Sequence, residues 1–170
     1  MTGVVAWKGH AVLGLAARVY LAFVFLFACV HKIIVPESFA VDIATYEILP
    51  IVLVNPMAVV LPYVEAAAGL LLLLGWRTRG SALLVCLMML VFTVAVSIAL
   101  GGGLNMSCGC FASQGAVDDP ISWKTILRDS GWLLLSAYVC IFDEGRFGVD
   151  GILQRRRRQK SPQKENKEDR

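Results

Sequence analysis

The sequence predicts an all-α, polytopic membrane protein: a bundle of four transmembrane helices with a short helix at the outer interface. Three observations predict it. The 170-residue chain is 57% hydrophobic, with mean hydropathy +0.67 and only 17% charged residues, against about 25% charged in an ordinary soluble domain. Four apolar runs are each long enough to cross a bilayer, which takes about 20 residues. The charge is segregated: residues 1–142 hold seven Lys/Arg and seven Asp/Glu, whereas residues 143–170 hold nine and six. Such a chain is not a soluble enzyme, a disordered chain or a coiled coil. The net charge of +3 arises in the tail and gives no reason to expect nucleic-acid binding. The predicted organisation is a membrane domain over 1–142 and a charged cytoplasmic tail over 143–170, disordered after Gly151 because it is too polar to build a core.

The first span covers about 11–33 and is interrupted by Arg18. Its stretch Leu26-Phe27-Ala28-Cys29 resembles a lipoprotein cleavage box, but Phe27 is bulky where a small residue is wanted and Arg18 breaks the apolar region. It is read as a retained span. Residues 36–49 open with Pro36, which suits a first helical position. Phe39, Ile43 and Tyr46 recur at helical spacing, as expected of a short helix lying at the interface. The second span, about 51–75, contains Pro62 and Glu65. The third, about 81–101, carries no charge. Residues 101–120 begin with three glycines and end Asp118-Asp119-Pro120, an irregular loop by composition. The fourth span, about 121–142, holds Lys124, Arg128 and Asp129 in its first half. The runs lack strict alternation, which argues for helices over strands.

Basic residues near span ends set orientation. Lys8, Arg77, Arg79, Arg146 and the Arg155–Arg158 run fall on one side; Glu37, Asp42, Glu47, Asp118 and Asp119 fall on the other. Both termini and the 76–80 turn are expected in the cytoplasm of a bacterium, and 34–50 and 102–120 outside its inner membrane, in contact with lipid throughout.

Of five cysteines, Cys86 and Cys140 are expected toward the cytoplasmic side as small buried hydrophobes. Cys29 lies near the outer end of the first span. Cys108 and Cys110 lie in the outer loop, facing a compartment that is oxidising in bacteria. Three readings are open for them. The first is a redox-active pair, with Gly109 supplying backbone freedom to a small ring. The second is metal binding, for which a lone thiol pair lacks the usual four ligands. The third is a static bridge from one of the two to Cys29.

Charges inside a bilayer are costly and either pair or line a polar cavity. Counting helical rise places Arg18 about 10–12 Å and Glu65 about 15 Å above the cytoplasmic boundary. This predicts a buried Arg18–Glu65 pair that fixes helix register; the alternative is a protonatable Glu65 in a substrate path. Near the outer side, Asp129 is expected to pair with Lys32. Arg128 would lie beneath the cysteine loop, where a cation favours thiolate.

These residues resemble a known family, the MauE branch of the DoxX-like membrane proteins. The resemblance spans about 11–142 and rests on Arg18-Val19-Tyr20, His31-Lys32, Phe39…Tyr46…Leu49-Pro50 and Leu61-Pro62…Glu65…Gly69. It continues in Cys108-Gly109-Cys110-Phe111 and Ser122-Trp123…Arg128-Asp129. The family's loop usually reads Cys-Gly-Cys-Phe-Gly, and Ala112 replaces the last glycine here. The resemblance implies a four-helix bundle and a role in methylamine utilisation or, more broadly, in maturing exported disulfide proteins beside a thioredoxin-like partner. On that expectation Cys108 and Cys110 are the catalytic pair of a thiol–disulfide oxidoreductase, with Arg18, Lys32, Glu65, Arg128 and Asp129 in support. Electrons from the pair need an acceptor, and a quinone near Trp123, Trp132 and Arg128 is one candidate. Reverse flow would deliver reductant outward. Two other classes compete: a non-catalytic membrane anchor of a redox complex, and a small proton- or cation-coupled transporter using Glu65.

Overall fold

The computed structural model describes residues 9–104, 106, 108–109, 120–143 and 148–152. It contains five helices in those residues: α1 (Gly9–Ile34), α2 (Pro36–Thr45), α3 (Ile51–Leu74), α4 (Thr78–Gly101) and α5 (Trp123–Phe142). All but α2 are long and apolar enough to cross a membrane. The four long helices form a ring in which α1 packs on α3 and α5, and α4 packs on α3 and α5; α2 lies across α3 and the end of α1.

Local chemistry sets the helix ends. Pro36 occupies the first turn of α2, where its missing N–H costs no hydrogen bond. Pro50 precedes α3 in extended conformation. The end of α3 closes on Gly75, at φ 65°, with Gly75 N–H donating to Leu72 O at 3.2 Å and Trp76 N–H to Leu71 O at 3.1 Å. This is the paired-bond helix end that glycine permits without a Cβ penalty. At the start of α5 the Ser122 N–H donates to the Thr125 hydroxyl at 3.2 Å, satisfying a donor that the helix leaves open.

Two clusters make the interior. Leu21, Ala22, Phe25, Ala68, Leu72, Ala82, Val85 and Val139 fill the middle of the ring. Val96, Ala99, Met106, Cys108 and Ile121 close one end. Small residues let α1 and α3 approach: a Cβ on Gly69 would lie 3.3 Å from Ala22 O and 3.1 Å from Leu26 Cγ. In a bilayer such close packing substitutes for the hydrophobic effect in holding helices together. Phe27, Val52, Leu127 and Leu134 face outward, as side chains bathed by acyl chains do.

The segment after α5 is engaged with the bundle. Asp143 Oδ2 is 3.4 Å from Arg18 Nη1, both groups buried. Gly148 packs against the Gly75 turn so closely that a Cβ on it would lie 2.7 Å from Gly75 Cα. Asp150 accepts hydrogen bonds from the backbone N–H of Arg77 (3.0 Å) and Thr78 (2.8 Å) and from the Thr78 hydroxyl (3.2 Å). Helix α4 has no side-chain cap of its own, so Asp150 caps it from the far end of the chain. Residues 153–170, where tail disorder is expected, lie outside the described residues.

Candidate functional site

A cavity of about 410 Å³ opens between α1, α2, α3 and α4, with Cys108, Gly109 and α5 residues completing its wall. Most of the wall is apolar, including Phe25, Leu61, Met88 and Phe92. The polar exceptions include Lys32, Asp42, Tyr46, Glu65, Asp129 and Cys108. Four of the residues singled out in the sequence therefore converge on one space, drawn from α1, α3, the 102–122 connection and α5.

Their pairing differs from the sequence expectation. Lys32 Nζ, not Arg18, holds Glu65, at 2.9 and 3.0 Å from its two oxygens. The same ammonium stands 4.8 Å from the centroid of the Phe39 ring, a favourable placement of cation over aromatic face. The expected Arg18–Glu65 pair is thus replaced by Arg18–Asp143 at the opposite end of the bundle. The expected Asp129–Lys32 bridge is replaced as well: Asp129 Oδ1 accepts from its chain neighbour Arg128 Nε at 3.2 Å. Rotation of about 100° between adjacent helical positions does not prevent this, because the arginine is long enough to fold back.

Arg128 binds several groups at once. Its guanidinium carbon lies 5.0 Å from the Trp132 ring centroid, and Nη2 lies 3.5 Å from the Cys108 sulfur. Cys108 is completely buried and disulfide-bonded, so its sulfur is no free thiol. Its carbonyl accepts a hydrogen bond from the Tyr46 hydroxyl at 2.8 Å. The next residue, Gly109, has φ 65°, and a Cβ there would lie 3.1 Å from Asp42 Oδ2. The positive φ favours glycine there, and the Asp42 side chain leaves little room for a Cβ. Cys108 and Gly109 are thus held between Asp42 and Tyr46 on one side and Arg128 of α5 on the other. The sequence marks Tyr46 by its helical spacing and by the family resemblance, but its hydroxyl contact spans 62 positions and leaves no local signal.

Cys29, Cys86 and Cys140 are free thiols, which removes the static bridge to Cys29. Cys29 donates instead to Leu26 O at 3.1 Å. Among the described residues no group of three or more His, Cys, Asp or Glu side chains is placed to hold a metal ion. Cys110 lies outside the described residues.

Residues 10–142 match the family model of methylamine utilisation protein MauE. The chain is 32% identical to methylamine utilization protein MauE of Paracoccus denitrificans over 115 residues, which is 67% of this chain and 61% of that protein. It is 26% identical over 122 residues to the protein of the same name from Methylorubrum extorquens, covering 71% and 64% of the two chains. A third, from Methylophilus methylotrophus, is 28% identical over 95 residues, 55% and 50% of the two chains. The matched region thus spans between half and two-thirds of each of these relatives. No solved structure matches.

Proposed function

This chain belongs to the MauE family of multi-pass bacterial inner-membrane proteins, and on that premise we propose that it is a thiol–disulfide protein assisting the redox maturation of exported proteins. Cys108 and Cys110 exchange disulfides with an extracytoplasmic thioredoxin-like partner or a disulfide-containing client. The methylamine utilisation named in its relatives is one setting in which such a client is met. The observation that carries the reading is the environment of Cys108: a buried sulfur, 3.5 Å from a guanidinium, on the wall of a cavity. A neighbouring cation favours the thiolate, and the thiolate is the species that attacks a disulfide.

The fold supports the proposed orientation. Arg18, the Arg77 turn and Asp150 gather at one end, while Cys108, Tyr46 and the start of α5 gather at the other. Lys8, Arg79 and the Arg155–Arg158 run belong by sequence to the first end, which the basic-residue bias puts in the cytoplasm. An impermeant thiol reagent applied to reduced, intact cells is expected to label the loop cysteines. Labelling only after the inner face is opened overturns the orientation.

The mechanism is tested by single cysteine variants. Cys108→Ser and Cys110→Ser are each expected to abolish client maturation without lowering protein abundance. One of them is expected to accumulate a mixed disulfide, because the attacking thiol remains and the resolving one is gone. Full activity in the double variant overturns the redox reading.

A further inference from the structure

We infer that the cavity is a binding site for a lipid-soluble quinone, which takes the electrons of the reduced loop pair. This rests on the thiol–disulfide reading and adds the acceptor to it. Four observations carry it. The volume, about 410 Å³, falls within the 300–1,000 Å³ usual for small-molecule sites. The wall is built by membrane-spanning helices and is overwhelmingly apolar, with Met57, Leu61, Met88 and Phe92 among its residues, so its occupant arrives from the lipid. The polar groups on that wall include a cation, Lys32, and the carboxylates of Asp42, Glu65 and Asp129. Finally, Cys108 is among the residues lining that cavity, so the loop pair and the occupant are neighbours.

The groups suit a quinone ring in particular. Lys32 and Asp129 are 94% and 100% buried, on relative exposures of 6% and 0%. An ammonium has three donors; two bonds from Lys32 go to Glu65, and a third donor remains for a ring carbonyl oxygen. Trp132 and Phe92 supply flat apolar surface on the wall. An acyl chain filling the same space would leave a buried cation and carboxylates facing hydrocarbon, the costly arrangement for intramembrane charge.

The reaction balances with these parts alone. The two loop thiols lose two electrons and two protons as the S–S bond forms; the quinone gains both pairs and leaves as quinol. Glu65 and Asp129 border the cavity and are the residues through which the protons pass. The disulfide so formed then oxidises the next client, whose cysteines become the bridge.

The test uses the full chain in lipid nanodiscs, reduced and then freed of reductant under anaerobic conditions. A decyl-benzoquinone is the probe. One quinol is expected per pair of thiols lost. Binding is read separately by quenching of Trp132 fluorescence in a background where Trp7, Trp76 and Trp123 are Phe. Ala95→Phe and Leu61→Phe, which fill the cavity from α4 and α3, are expected to weaken quenching at least ten-fold and to slow quinone reduction equally. Exchange with a disulfide peptide in solution is expected to persist in whichever variant melts like the parent. Peptide exchange with neither quenching nor quinol formation overturns the quinone site and leaves the thiol–disulfide reading standing. Quinol formation unchanged in both filled variants also overturns the site. Loss of peptide exchange in the parent protein overturns the reading beneath it.

Discussion

Lys32 and Glu65 form a two-point ion pair inside the bundle, the ammonium 2.9 and 3.0 Å from the carboxylate oxygens and both side chains about nine-tenths buried. Neither charge has water to fall back on. Removing one partner of such a pair costs about 3–5 kcal/mol, because the other is left charged and buried. Glu65→Ala is expected to lower the thermal unfolding temperature in detergent and the abundance in membranes. A Lys32→Met, Glu65→Leu double variant is expected to recover most of both, since apolar side chains fill the space without a charge. Arg18→Leu is expected to give no recovery of Glu65→Ala; rescue by Arg18→Leu would place the partner of Glu65 elsewhere.

The register between α1 and α3 explains why depth counting paired the wrong residues. Arg18 lies against Gly75, Leu26 against Gly69 and Lys32 against Glu65, an antiparallel descent in steady step. Arg18 is thus level with the α3–α4 turn, and the first turns of α1 extend beyond it. Hydropathy marks where an apolar run begins, but it carries no information on how far one helix is shifted along another. What composition does specify was legible: the four long helices and the proline-led α2 stand where apolar runs and turn residues put them. Of the four residues that converge on the cavity, Cys108, Lys32 and Asp129 were legible as sharing one side of the membrane, whereas counting helical rise put Glu65 deeper, beside Arg18. Contacts from beyond α5 were not legible, because Asp143 and Asp150 sit in a charged stretch that gives no periodic signal.

Asp150 makes the turn between α3 and α4 pH-sensitive. Burial opposes its charge, but the N–H groups of Thr78 and Arg77, the Thr78 hydroxyl and the nearby Arg18 hold its carboxyl below the usual aspartate range. A depressed carboxylate stabilises the fold fully above its unfolded pKa of about 3.9, and that contribution is lost as pH falls through the folded value. A capping carboxylate contributes about 1 kcal/mol. Asp150→Asn is expected to lower the unfolding temperature at pH 7 and to narrow the gap to the parent below pH 4. Hydrogen exchange at the first turn of α4 should rise in the same variant. An unchanged gap between the two proteins from pH 7 to pH 3 would mean that the carboxylate charge does not hold this turn.

Arg128 is the residue whose charge and position bear most directly on Cys108. Its guanidinium is tied to Asp129 at 3.2 Å, stacked near Trp132 and set 3.5 Å from the Cys108 sulfur. The Asp129 carboxylate orients it, and the ring limits its swing. In the reduced protein a fixed cation at that distance favours thiolate over thiol. Arg128→Gln is therefore expected to slow alkylation of reduced Cys108 by iodoacetamide several-fold at neutral pH, with the deficit closing as pH rises and the thiol ionises unaided. Arg128→Lys keeps the charge but loses the planar fork that reaches sulfur and carboxylate together, so an intermediate rate is expected. Because Arg128→Gln also leaves Asp129 buried without its neighbour's charge, an Arg128→Gln, Asp129→Asn pair separates the two effects: it is expected to restore thermal stability while alkylation stays slow. Alkylation at the parent rate in both Arg128→Gln backgrounds, across the whole pH range, would show that the cation does not activate this sulfur.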